Sequence, residues 1–138
     1  MSKDQSSLER MGIMIITLHL IVNVAHATAH ARLHIDMNLW QTVFILVVII
    51  VLPLVAGFLL WRRASGGFLL LLVSMLGALL FGGYYHFIAK GADNVATQGF
   101  HSWVRPFQIT AVLLALIEAA GASTGLAGIF KRQMGEEK

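Results

Sequence analysis

The sequence predicts an all-α integral membrane protein, a four-helix transmembrane bundle running up-down-up-down with both termini cytoplasmic. Three observations carry that prediction. The apolar residues gather in four runs, each near the roughly 20 residues that a bilayer requires. Only 12% of the 138 residues are charged while 57% are hydrophobic, and a soluble chain carries about twice that charge. Lysine and arginine are also unevenly shared between alternate connections. Lys3, Arg10, Arg62, Arg63, Lys131, Arg132 and Lys138 fall on one side, against Arg32, Lys90 and Arg105 on the other. By the positive-inside rule the richer side, with both termini, is cytoplasmic.

The chain reads as one transmembrane domain, 1–138, with helices over about 7–35, 39–61, 68–87 and 106–130. Ser6-Ser7-Leu8-Glu9 fits a capping box, with Ser6 as N-cap and Glu9 three positions later. A secretory signal peptide competes for the first run, because Ala25-His26-Ala27 imitates a cleavage site. His19 and Asn23 interrupt its apolar core, so the run is read as a membrane helix. Asp36-Met37-Asn38 is short enough to force an antiparallel neighbour. The second helix is the most uniformly apolar. Pro53 lies inside it and should kink it or free a carbonyl. Such a plain span should face lipid or pack against a partner, either a larger membrane complex or a second copy of the chain.

Ser65-Gly66-Gly67 turns into the third helix, where Ser74, Ala78, Gly82 and His86 recur every four residues. Small residues mark faces where membrane helices approach closely, so His86 should point inward. The long polar connection from Lys90 to Arg105 holds Asp93 and His101 and leads to Pro106, suited to a first helical turn. Along the fourth helix Ala111, Ala115, Glu118, Ala122 and Gly125 share a face, and Gly121 and Gly125 form a GxxxG pair. Trp40, Trp103, Tyr84 and Tyr85 fit an outer aromatic belt and Trp61 an inner one.

Chemistry concentrates on the first helix. His19, Asn23, His26, His30 and His34 fall within an arc of about 80° at 100° per residue. Ionisable groups inside a membrane-length run are costly and usually face a bundle interior or water. With no cysteine in the chain, thiolate chemistry and iron–sulfur ligation are excluded, and imidazole is the principal ligand left for a transition metal. His26, His30, His34, His86 and the loop-borne His101 are candidate ligands near the outer face. The metal would be zinc, copper or iron. Alternatively His30 and His86 hold haem b, with Ala27, Gly82 and Gly83 leaving room for the macrocycle.

Deeper in the bundle His19, Asn23 and Glu118 are expected as partners of such a centre, or as a proton or ion relay without it. Structural competitors exist for each group, since polar residues also bond helices together at about a kilocalorie or less per pair. Asp36 and Asp93 read as solvated helix ends. Nucleotide-binding loops and nucleophile elbows are absent from the sequence, and the small positive charge lies beside the spans, not in a nucleic-acid footprint. No catalytic residue is assigned. The expected setting is a bacterial-type inner membrane, with metal handling or redox chemistry at its outer face or an accessory role in a larger complex.

Overall fold

A computed structural model describes residues 3–136, all of whose regular structure is helical. Helix α1 covers Lys3–Arg32. Helix α2 spans Leu39–Trp61, α3 spans Gly67–Ile88, and α4 covers Val104–Glu136. All four are long and apolar enough to cross a membrane.

Helix α1 begins before the expected capping box, so Ser6 lies inside it. Glu9 is buried, with Oε2 3.8 Å from Arg63 Nε in the connection after α2. Its carboxylate is drawn to that guanidinium across the bundle. At the other end α1 stops at Arg32, three residues short of expectation. Ile35 N donates to His30 O at 3.2 Å and His34 N to Ala31 O at 3.4 Å, with His34 at φ 53°. This is a Schellman stop with histidine in the position that glycine usually takes. Helix α2 ends in the same way at Arg63, φ 57°, where Ala64 N donates to Leu59 O.

Asn38 caps α2. Its side chain accepts from Gln41 N at 2.9 Å, and Gln41 Oε1 accepts from Asn38 N at 2.9 Å. Pro53 does not break the helix. The turns before it, Ile45–Val51, widen to π geometry, and a wider turn is one way to accommodate a ring that would clash with the carbonyl four residues back. A second π turn, Tyr84–Ile88, closes α3 and contains His86. Helix α4 runs past Lys131 and Arg132, farther than expected. There Arg132 donates to the carbonyls of Ala64 (3.0 Å) and Arg63 (3.2 Å), tying α4 to the turn between α2 and α3.

Helices α3 and α4 run antiparallel along their shared face. Gly121, Gly125 and Gly128 of α4 meet Met75, Leu72 and Phe68 of α3 in reverse order. A Cβ on Gly125 would lie 2.7 Å from Leu72 N and 2.9 Å from its Cα, and backbone cannot yield as a side chain does. Gly125→Val should therefore lower stability by at least the 1–3 kcal/mol typical of overpacking, measured by thermal unfolding in detergent.

Ile16, Ala56, Leu60, Phe68, Leu71 and Met75 form an apolar core in the half of the bundle nearer the termini. In the other half α2 packs on α3 but leaves α1, and a cavity of about 410 Å³ opens there. Helix α2 is the least enclosed, with 22% of its most apolar stretch buried against 39% for α4.

Candidate metal centre

Three of the five histidines expected as ligands converge. His26 and His30 sit one turn apart on α1, and the π turn of α3 brings His86 against them. All three are buried, at 5–8% exposure. His26 Nε2 lies 3.1 Å from His30 Nε2 and 3.1 Å from His86 Nε2, and the three ligand atoms lie within 4.8 Å of one another.

The surrounding hydrogen bonds assign two of the tautomers. Thr110 Oγ1 donates to Pro106 O at 2.7 Å, so toward His26 Nδ1, 2.8 Å away, it accepts. His26 therefore carries its proton on Nδ1. His86 Nδ1 donates to Asp93 O at 3.1 Å, and in the neutral ring Nε2 then keeps its lone pair. Two neutral rings in these tautomers turn lone pairs to each other across 3.1 Å, which either a proton on one Nε2 or a bound metal ion satisfies. A metal with nitrogen ligands at about 2.0–2.1 Å separates those ligands by roughly 3.0 Å in octahedral and 3.4 Å in tetrahedral geometry. The two measured edges fall in that range. The third lies within 4.8 Å.

Phe107 of α4, fully buried, backs the triad. Its ring stacks on His26 at 5.2 Å between centroids and meets His30 at 5.2 Å and His86 at 5.6 Å edge-on. Asp93 flanks the site instead of facing bulk solvent as a loop end. Its Oδ1 is 3.0 Å from His30 Nε2 and 3.1 Å from His86 Nδ1, close enough for ion pairing though off the hydrogen-bonding axis of either ring. Burial alone would push this carboxyl up, but the adjoining His30 and His86 rings outweigh it and lower its pKa to about 2. The loop is pinned around Asp93: Val95 N donates to His86 O at 3.0 Å, Asn94 Nδ2 to Ala89 O at 2.8 Å, and Gln108 Nε2 to Val95 O at 2.8 Å.

At His86 the carboxylate lies beside Nδ1, the nitrogen opposite the ligating one, and partners at that position typically contribute 10–100-fold in metal affinity. Asp93→Asn should accordingly weaken zinc binding by about that factor while preserving stoichiometry, as read by competition with a colorimetric chelator.

His34 and His101 stand apart, exposed, beside Arg32 and Trp103 at a separate surface depression. The Schellman stop turns His34 off the helical face it would otherwise share with His30. Deeper in the bundle His19 Nε2 contacts Glu118 Oε1 at 3.2 Å, with both residues buried, while Asn23 is half-buried. Asn23 and Glu118 line the same cavity as the triad, together with the expected space-makers Ala27, Gly82 and Gly83.

Asp93, Thr110 and Phe107 were not among the expected site residues. For Asp93 the available signal was its place at the same bundle end as the histidines. Comparison of this chain with family models, curated proteins and solved structures finds no match in any of the three.

Proposed function

We propose that this is an integral membrane protein that binds one transition-metal ion at His26, His30 and His86 and works in metal handling or redox chemistry. One observation carries the proposal: three buried imidazoles converge, with His26 Nε2 3.1 Å from both His86 Nε2 and His30 Nε2. The three rings line the cavity, so a fourth coordination position faces open space. That is the pattern of an exchanging or reactive site, in contrast to a closed structural one. Zinc, copper and iron all suit imidazole.

Among the described residues Lys3, Arg10, Arg62, Arg63, Lys131 and Arg132 lie at one end of the bundle, against Arg32, Lys90 and Arg105 at the other, which supports a cytoplasmic position for the first end and an outer position for the metal site. The exposed apolar side chains of α2, among them Leu46, Val47, Leu54 and Phe58, then face lipid or a partner in a larger complex. Haem fits less well. A macrocycle between His30 and His86 needs the space that His26 Nε2 occupies. A relay through His19, Asn23 and Glu118 has its first link, yet no hydrogen bond among the described residues continues it to Asn23 or the triad.

Elemental analysis and an absorption spectrum of detergent-purified protein without a histidine tag test the proposal. Near-stoichiometric zinc, copper or iron without a Soret band is expected, removable by chelator and restored by the ion. A folded protein that neither contains nor takes up a metal overturns it.

A further inference from the structure

The cavity that the triad lines continues toward the bundle centre. Three of the chain's seven acidic residues line it: Asp36, Asp93 and Glu118. None of the Lys and Arg residues among the described residues does. A low-dielectric cleft with charges of one sign focuses counter-ions into it, and here the sign selects cations.

Glu118 is the deep member of the three. It is 4% exposed and in contact with His19 through Oε1, with no other hydrogen bond to its carboxylate among the described residues. Its second oxygen is thus left for an occupant of the cavity. His19 holds the carboxylate from behind, as an outer imidazole does for a ligating carboxylate. Asn23 stands one turn along α1 from His19, on the same face, and also lines the cavity. Its amide oxygen is a further donor on the wall of that cavity. His19 and His26 are seven residues apart, about 10 Å along the helix axis, so an ion at Glu118 is distinct from one held by the triad. A His–Glu pair that only glued helices together would need neither the cavity nor the neighbouring amide.

We propose that Glu118 and Asn23 form a second divalent-cation position at the base of this cavity, supplied through the triad, with Glu118 held in place by His19. The inference rests on the triad being a metal site and adds to it a softer-to-harder order of donors along one path, nitrogen first and oxygen second. Oxygen donors completed by water bind zinc less tightly than a histidine set, so the deep position is the weaker and more exchangeable.

The test is equilibrium dialysis of the full-length, tag-free protein in detergent against zinc, with bound metal counted per chain for the parent, Glu118→Gln and Asn23→Ala. The parent should take up two zinc ions, one tightly and one weakly. Glu118→Gln should keep the tight ion and lose the weak one. Asn23→Ala leaves the His19–Glu118 contact in place and should weaken the second ion about tenfold, the equivalent of 1.4 kcal/mol. A single zinc in the parent, or a weak ion unchanged in both variants, overturns the second position while leaving the triad intact. No zinc at all in a folded parent removes both.

Discussion

His86→Ala is expected to lower zinc affinity by at least 100-fold, beyond the 10–100-fold effect of losing an outer partner, while leaving the helices formed. The reason lies in the geometry of the pair. His86 Nε2 and His26 Nε2 converge from different helices to 3.1 Å, and deleting one ring leaves His26 and His30, two donors from one helix. A chelate of two imidazoles one turn apart still holds an ion, but weakly. Chelator competition measures the loss directly. His86→Ala binding zinc as tightly as the parent would exclude the triad.

Removing the phenyl ring of Phe107 should have the largest effect on stability. The residue is fully buried and touches all three histidines. Truncating a buried Phe destabilises by about 3–5 kcal/mol, and within lipid the transfer part shrinks because the surroundings are already apolar. A loss on the order of 3 kcal/mol follows, with weakened metal affinity because the rings lose their backing. Phe107→Leu should recover much of the stability and less of the affinity, since leucine fills volume without offering a face to His26. Thermal unfolding in detergent, with and without zinc, separates the two effects. Equal zinc-induced stabilisation in the parent and in Phe107→Ala would show that the ring takes no part in ordering the site.

What the sequence disclosed and what it withheld follow from the range of the interactions involved. The four helices were legible because membrane-length apolar runs are a local property, and the second helix has its expected limits, Leu39 and Trp61. Helical spacing likewise placed His26 and His30 on one face and turned His86 inward. Helix ends were harder. The stop after Arg32 depends on His34 adopting a left-handed backbone, which no glycine advertised, and that turn is what parts His34 from the other histidines.

The residues around the centre were least visible. Asp93 reads as a solvated loop residue until its loop is tied back through Val95, Asn94 and Gln108. Thr110 reads as an ordinary helix residue until its hydroxyl, donating to Pro106 O, is found 2.8 Å from His26 Nδ1. Both roles arise from contacts distant in sequence, which periodicity does not report. Glu118 is the intermediate case. A lone carboxylate on a small-residue face signals a partner, and depth along the helices pointed to Asn23, His19 and His26, of which His19 is the one it contacts, at 3.2 Å.

The central claim is that three imidazoles share one metal ion. X-ray absorption at the metal edge, on tag-free protein loaded with one equivalent of zinc, tests it most directly. The account predicts a shell of nitrogen ligands at about 2.0–2.1 Å with the outer-shell scattering of three imidazole rings, reduced to two in His86→Ala. An oxygen-dominated shell with no more than one imidazole, unchanged in that variant, would contradict it.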